Sequence, residues 1–345
     1  MKVKISELNS DDAYDLKGLI PKENLIAFRK AGYLSIVVGD ILDRLVWRIR
    51  PYEKVEGMAD TFINEAVVRM AESFARHSSE KDLSPITDDL IEVVKEGKDI
   101  IDPRVPKDII DPRVPRKPLI GAIGEIYLRS HVKSNQDTIR ILEKYGAEVV
   151  NASIGEWINY TTYDQVRLAR IAIGLNLKRF KLKNASIGEW INYTTYDQVR
   201  LARIAIGLNL KRFKLKLFYQ YMQQRKVYQM VRKYIDIAED HKIGHLEKVL
   251  KKKNTFSFEV GTEACLSISS ALELSHRGYN GIVNIFPFTC LPSNLTASIT
   301  KPLMGKLNVP YIDVDYDGSF QPGREAALRT FMYQANQHFK IHGRP

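Results

Sequence analysis

The chain has 345 residues, of which 44% are hydrophobic and 27% are charged, and its formal net charge is +11 at pH 7. This composition is that of a folded globular protein with one large or two ordinary domains. No stretch approaches the roughly eighteen apolar residues of a membrane span, and the polar N-terminus lacks the apolar run of a signal peptide. With only two cysteines, Cys265 and Cys290, the sequence predicts a cytoplasmic protein with reduced thiols and no membrane partner.

The first part of the chain, residues 1–97, is predicted to be a helical region. Apolar residues recur every three or four positions from 21 to 52, which is the period of an amphipathic helix. The same spacing predicts a second helix over 57–77 and a short helix over 86–96. We expect this region to form a cap or a packing arm.

Residues 98–117 are predicted to be a Pro-rich linker, and they contain KDIIDPRVP twice in succession, at 98–106 and 107–115. A longer segment, NASIGEWINYTTYDQVRLARIAIGLNLKRFKLK, also occurs twice, at 151–183 and 184–216. Repeat architectures stack several diverged units, whereas these are two perfect copies of unrelated segments. The pattern indicates a copying event, and one copy of each would leave 303 residues with a net charge of +7.

From Pro118 to the end of the chain, the pattern predicts strands that alternate with helices. PLIGAIGEI is a short apolar run ending in glycines, which is typical of a buried strand. A helix over about 134–145 and a strand over 147–150 follow. The duplicated unit predicts a loop and then a helix, with Thr162 and Gln165 as a capping box.

The last third of the chain continues this alternation. The predicted elements are a long basic helix over 217–239, a strand in FSFEVGTEA, a helix over 263–276, a strand over 281–288, a helix over 292–306, a strand over 309–318 and a helix over 322–340. Such alternation predicts βαβ units and therefore a doubly wound, mainly parallel, Rossmann-like α/β domain over 118–345, preceded by the helical region.

Ligands of open parallel sheets bind beyond the carboxyl ends of the strands. The loop GAIGEIYLRS offers Glu125, Tyr127 and Arg129 at this edge. Its spacing is G-x-x-G and not the G-x-G-x-x-G of dinucleotide sites, so a nicotinamide cofactor is not supported. The structural alternative is a tight strand exit with a surface ion pair.

Two further loops supply candidates at the same edge. EVGTEACLS places Gly261, Thr262 and Glu263 at a helix N-terminus, where free N–H groups favour an anion. Alternatively, Thr262 is a simple N-cap and Glu263 lies in the first turn against the helix dipole. The loop DVDYDGSFQPG contributes Asp315.

The loop FPFTCLPSN places Cys290 directly after a predicted buried strand and before a helix. A thiol in that position suits metal ligation or nucleophilic chemistry. The alternative is a buried, inert cysteine. Cys265, one turn into an apolar helix, is predicted to be a core residue.

These loops resemble those of proteins related to 2-hydroxyacyl-CoA dehydratases and their activases. The resemblance rests on IGAIGEIYLRSH, KYGAEVVNASIGEWINY, FEVGTEACLS, GYNGIVNIFPFTCLPSN and VPYIDVDYDG, and RPYE at 50–53 is similar to the helical region of that family. It covers the chain from about Leu34 onward. It implies an oxygen-sensitive iron–sulfur system of anaerobic metabolism, in which an ATP-hydrolysing activator injects an electron into a cluster-bearing component that acts on CoA thioesters.

The resemblance implies that Cys290 is a cluster ligand and that Glu125, Tyr127 and residues 261–263 line the same cleft. Longer members of the family carry further cysteines in an N-terminal region, whereas this chain has two cysteines. A four-iron cluster is typically held by about four cysteines, so the resemblance implies a cluster shared with a cysteine-bearing partner. If the protein is an enzyme, it would be a lyase or an electron-transfer component.

Two alternatives remain open at the level of sequence. The first is a non-catalytic structural or binding subunit with the same fold. The second is an unrelated CoA- or nucleotide-binding α/β enzyme, although no Gly-rich phosphate loop is present. The positive charge is compatible with phosphate-bearing ligands. It does not support a nucleic-acid partner, because no aromatic-rich basic module or helix-turn-helix signature accompanies it.

Overall fold

Three helices form the N-terminal region. The computed structural model describes residues 23–101, 116–181 and 209–344. The helices are α1 (Leu25–Ile49), α2 (Met58–His77) and α3 (Ser84–Ile100), with a 3-10 turn at Arg50–Tyr52. Each helix buries the apolar stripe that its three- and four-residue spacing predicts.

Four parallel strands form the central sheet. They are β1 (Leu119–Gly124), β2 (Glu148–Asn151), β3 (Gly281–Pro287) and β4 (Tyr311–Tyr316). Their order is β2-β1-β3-β4, and the register pairs Gly121 with Val150 on one side and with Ile282 on the other. The predicted Rossmann-like α/β fold with a helical N-terminal region is therefore confirmed.

Helices cover both faces of the sheet. In the described residues they are α4 (Ile126–Ser130), α5 (Thr138–Lys144), α6 (Ile154–Lys181), α7 (Asn209–Val231), α8 (Ile243–Lys253), α9 (Glu263–His276), α10 (Leu291–Lys306) and α11 (Arg324–His342). Leu119 and Ile282 share a core with residues of α8, α9 and α10. Ile120 and Val283 share the opposite core with residues of α5 and α11. Each strand contributes to both cores because its side chains alternate between the faces.

The N-terminal helices share their core with the α/β part of the chain. Their buried apolar residues cluster with Ile158 of α6 and with Val227, Tyr228 and Val231 of α7. Helix α1 also lies against β2. The helical region therefore packs directly against α6, α7 and the edge strand β2.

The predicted strand in FSFEVGTEA is wrong. Phe258–Val260 form a 3-10 turn outside the sheet. Ser257 accepts a hydrogen bond from the backbone N–H of Glu259 at 3.1 Å, and Gly261 has a φ of 66°. This turn chemistry overrides the alternation of apolar residues that resembles a strand.

The predicted capping box is also wrong, because Thr162 and Gln165 lie inside α6. The buried hydroxyl of Thr162 makes no hydrogen bond within the described part of the chain. The first turn of α6 is capped from α1 instead. The carboxylate oxygens of Asp40 accept the backbone N–H groups of Ile154 at 2.9 Å and of Gly155 at 2.8 Å.

The two duplications are described only in part. The first 33-residue copy supplies Asn151 of β2 and helix α6 to Lys181. Of the second copy, 184–208 lie outside the described residues, and 209–216 begin α7. Residues 102–115, which hold most of the duplicated nonapeptide, also lie outside the described ranges.

Candidate functional site

The carboxyl ends of the strands define the candidate site. The loops after β1, β3 and β4 leave the sheet at this edge, as the parallel order requires. The backbone N–H of Glu125 donates to the carbonyl oxygen of Ile285 in β3 at 2.9 Å. Gly124 has a φ of 121°, and a Cβ added there would lie 2.1 Å from the same oxygen. This close approach of β1 and β3 therefore requires glycine.

Glu125 is engaged in the backbone of its own loop. Its Oε1 accepts the N–H of Tyr127 at 3.1 Å, and its Oε2 accepts the N–H of Leu128 at 2.7 Å. Both oxygens therefore cap the short helix α4, in agreement with the tight strand exit. Tyr127 is exposed and stacks on His131, with ring centroids 4.8 Å apart.

Arg129 lies buried behind the edge of the sheet. Its guanidinium donates to the carbonyl oxygen of Gly124 at 3.4 Å and to that of Ser153 at 3.3 Å. It therefore joins the ends of β1 and β2, and the predicted surface ion pair is replaced by a buried clamp. Burial lowers the pKa of Arg129, and the charges of Glu156 and Glu263 oppose this change.

The loop before α9 combines a turn and an N-cap. Gly261 closes the 3-10 turn, and Thr262 Oγ1 accepts the backbone N–H of Ala264 at 3.3 Å. Glu263 lies in the first turn of α9, where burial, followed by the charge of Glu125, raises its pKa. The structure therefore brings Glu125 and Glu263 close enough to repel each other. Two carboxylates beside this helix N-terminus disfavour an anionic ligand there.

The two cysteines occupy different environments. Cys290 is the N-cap residue of α10 and is half-buried, and its carbonyl oxygen accepts the N–H of Asn294 at 3.0 Å. Cys265 is buried, and its thiol donates to the carbonyl oxygen of Ser257 at 3.6 Å. Burial raises the pKa of Cys265. Cys290 is therefore the thiol that a partner or a metal could reach.

Large apolar side chains are exposed around Cys290. Phe288 and Leu291, which flank it in the loop after β3, are 61% and 69% exposed. Phe320, in the loop after β4, is 79% exposed. Tyr127 is also exposed, on the short helix α4 after β1. The segments that follow three neighbouring strands therefore present apolar surface at one edge, as interaction sites do.

Asp315 lies near the carboxyl end of β4, where it pairs with Phe286 of β3. With Asp313 and Arg324 it lines a cavity of about 180 Å³ between β4 and the N-terminal end of α11. Its carbonyl oxygen accepts a hydrogen bond from Arg324 Nη2 at 2.9 Å. The structure thus groups Asp315 with α11.

A buried polar network behind the strand ends was missed by the sequence analysis. Asp240 accepts hydrogen bonds from Ser153 Oγ at 2.5 Å and from Gln224 Nε2 at 2.7 Å. It also forms a close ion pair with Arg44 of α1. The available signal was that Asp40 and Arg44 interrupt the apolar stripe of α1, where a charge needs a buried partner.

Glu156 belongs to the same buried region. Ser270 Oγ lies 3.5 Å from its Oε1, and its Oε2 makes no hydrogen bond within the described part of the chain. Burial, followed by the charge of Asp240, raises the pKa of Glu156. This carboxyl group is therefore held towards its neutral form inside the protein.

The donor groups of the described residues do not suffice for an iron–sulfur cluster. No group of three or more histidine, cysteine or acidic residues is placed to hold a metal ion in the described part of the chain. With Cys265 buried, the edge offers the single thiol of Cys290. About four cysteines hold a cluster of this kind. The described residues therefore provide one cluster ligand, Cys290, and not a complete site.

Comparison with known protein families, with curated proteins and with solved structures finds no match for this chain. Among the helices of the described ranges, none has the length and apolar character that crossing a bilayer requires.

Proposed function

We propose that this chain is a component of an iron–sulfur-dependent, ATP-activated acyl-CoA dehydratase- or reductase-type system. A cysteine-bearing partner completes the cluster site in this proposal, and an ATP-hydrolysing activator supplies the electron. The observation that carries the proposal is the position of Cys290. It is a reachable thiol at the start of α10, directly after the central strand β3.

The arrangement of the other loops supports this proposal. The segments that resemble the dehydratase-related family follow β1 and β3 or precede α9, and Glu125 and Glu263 bring two of them together. A CoA thioester would approach this edge from the solvent side. Glu263, whose pKa is raised, could hold a proton there at a pH where an ordinary glutamate is ionised.

In this proposal a partner protein is needed because the chain provides too few thiolates to hold a cluster. Cys290 would supply one thiolate, and the partner would supply the others. The exposed side chains of Phe288 and Leu291 on both sides of Cys290 provide apolar surface that such a contact would cover.

A non-catalytic subunit with the same fold is the second candidate, and it has an observation in its favour. Glu125, Arg129 and Thr262 all use their polar atoms to hold backbone groups. Residues with these roles would be needed for the fold even without chemistry at the edge. An unrelated CoA- or nucleotide-binding enzyme has no comparable support at this edge.

Anaerobic reconstitution with iron and sulfide separates these candidates. The chain would be mixed with the cysteine-bearing protein encoded by a neighbouring gene, as the native sequence and as the variants Cys290→Ala and Cys265→Ala. We expect brown iron–sulfur absorbance with the native chain and with Cys265→Ala, and a reduced cluster content with Cys290→Ala. Equal cluster content in all three mixtures would contradict the role of Cys290.

A further inference from the structure

Helix α7 presents an apolar row that no described part of the chain covers. Leu215, Phe218 and Met222 are 69%, 61% and 51% exposed, although each is a large apolar residue. They are spaced by three and four positions and therefore lie along one side of the helix. The opposite side is buried, where Val227 and Val231 belong to the core shared with the N-terminal helices. The exposed row is therefore separate from the apolar face that anchors α7.

Exposed cations lie beside this row. Lys211 precedes Leu215 by four positions, and Lys214 precedes Phe218 by four, so each lysine is a neighbour of an apolar residue on the exposed side. Arg212 is also exposed. Helix α7 contains no acidic residue. In the described part of the chain, none of these three cations forms an ion pair. The α7 surface is defined here as Lys211, Arg212, Lys214, Leu215, Phe218 and Met222.

The C-terminal half of α7 has charge partners and is not part of this surface. The charge of Arg225 acts on Glu239, and that of Lys226 acts on Asp82. The α7 surface therefore combines the exposed apolar row with cations that no carboxylate of the described residues neutralises.

The width of the apolar row indicates which kind of partner fits it. A helix that lies in a membrane surface inserts a broad apolar face, whereas the broad apolar face of α7 lies in the protein core. A single row with three- and four-residue spacing is the seam along which two helices pack. A second copy of this chain is disfavoured as the partner, because its own lysines would face those of the first copy.

We propose that the α7 surface binds an acidic amphipathic helix of another protein. Apolar side chains of that helix would pack on Leu215, Phe218 and Met222, and its carboxylates would pair with Lys211 and Lys214. Charges that flank an apolar seam in this way set partner choice and orientation in paired helices. The proposal does not depend on the function proposed for the edge of Cys290.

The test uses the full chain and two synthetic helices of about four heptads, each labelled for fluorescence anisotropy. Both helices have leucine at the a and d positions. The acidic helix has glutamate at e and g, and the control helix has lysine there, so that like charges keep each from pairing with itself. Binding of anionic lipid vesicles, and the mass of the free chain by light scattering, are measured in parallel.

Two pairs of variants separate the apolar and the charged contributions. Phe218→Ser removes an apolar contact, and Val68→Ser is its control because Val68 of α2 is 58% exposed. Lys214→Glu reverses a charge, and Lys251→Glu is its control because Lys251 is exposed near the end of α8. All four side chains are exposed, so the fold should be retained in each variant.

We expect the acidic helix to bind the full chain and the lysine helix not to bind. Phe218→Ser and Lys214→Glu should each weaken binding about tenfold. The variants Val68→Ser and Lys251→Glu should bind as the native chain does. Added salt should weaken the binding of the native chain more than that of Lys214→Glu, because salt screens exposed charges.

Four results would overturn the proposal. No binding of the acidic helix up to about 1 mM would show that the α7 surface does not take such a partner. Equal binding of both helices, or an equal loss in the control variants, would indicate unspecific attraction. Binding of anionic vesicles without binding of the acidic helix would assign the surface to lipid. A free chain that is dimeric, and monomeric as Phe218→Ser, would assign it to a second copy.

Discussion

Glu148, the first residue of β2, and Arg344, the last residue but one of the chain, form a buried ion pair with two hydrogen bonds. Nη1 and Nη2 of Arg344 donate to the two carboxylate oxygens at 2.7 and 2.6 Å. Burial alone would raise the pKa of Glu148, but the hydrogen bonds from Arg344 and the charge of Arg48 lower it below its usual range. The end of the chain is therefore fixed to the amino end of the sheet.

We expect Arg344→Gln to lower the free energy of unfolding by about 2–3 kcal/mol, because it leaves a buried carboxylate with a weaker partner. The control is Lys144→Gln, which removes an exposed pair with Glu325 and should cost at most about 1 kcal/mol. Urea unfolding measures both. Because the folded-state pKa of Glu148 is lowered, its stabilising contribution is lost as the pH falls. The native chain and Arg344→Gln should therefore converge in stability in acid, and a constant difference at all pH values would contradict the pairing.

Glu156→Gln is expected to stabilise the protein at neutral and higher pH. The pKa of Glu156 is raised above its ordinary value of 4.5, so the folded state retains a proton that the unfolded state releases. The contribution of Glu156 to the free energy of unfolding therefore falls as the pH rises above 4.5. Glutamine does not titrate, so the substitution removes this dependence on pH. The gain should be about 1–3 kcal/mol at about pH 8 and small at about pH 5.

The control for this experiment is Glu96→Gln, because Glu96 is exposed and pairs with Arg69. It should show no comparable change with pH. A destabilising effect of Glu156→Gln at about pH 8 would mean that Glu156 is ionised and well paired in the folded protein.

Cys290 is expected to react with iodoacetamide before Cys265 under native conditions. Cys290 is half-buried at the start of α10, whereas Cys265 is buried and burial raises its pKa, which removes thiolate. Peptide mass mapping over a time course measures both rates. Faster labelling of Cys265 would reverse the assignment, and equal rates after denaturation are the internal control.

The sequence predicted those elements whose signal is local. The strands β1 and β3 are mainly apolar runs bounded by glycine or proline, and β4 alternates apolar residues with aspartates after Pro310. The structure confirms all three strands. Cys290 could be placed at the carboxyl edge because it directly follows one of these strands. FSFEVGTEA failed because a 3-10 turn and a strand can share the same alternation of apolar residues.

The buried network could not be predicted, because its partners are far apart in sequence. Asp40 caps a helix more than a hundred residues away, and Asp240 pairs with Arg44 across 196 positions. A single sequence carries no information on such pairings beyond the presence of a charge in an apolar stripe. The burial of Arg129 could not be predicted for the same reason, since the carbonyl groups that bind it are contributed by the ends of two strands.

Removal of one 33-residue copy is expected to leave the fold intact. Deletion of 184–216 gives the same sequence as deletion of 151–183, and it keeps Tyr33, Asn159 and Gln224, whose side chains form hydrogen bonds between α1, α6 and α7. The shortened protein should therefore unfold at the same temperature or a higher one. A molten or insoluble deletion variant would show that the second copy is required.

The mass of the protein purified from its natural source provides an independent measurement. We expect it to lack one copy of each duplication, forty-two residues in total. A mass that matches all 345 residues would show that both duplications belong to the natural chain.

The cap that Asp40 places on α6 has a consequence for cooperativity. Helix α1 satisfies the first N–H groups of α6 and also carries Arg44, the ionic partner of Asp240. If α1 separated from the sheet, a helix end and a buried carboxylate would lose their partners together, so partial opening is costly. The N-terminal helices and the sheet should therefore melt in a single calorimetric transition. Amide hydrogens of α1 should exchange as slowly as those of the central strands, although α1 lies outside the sheet.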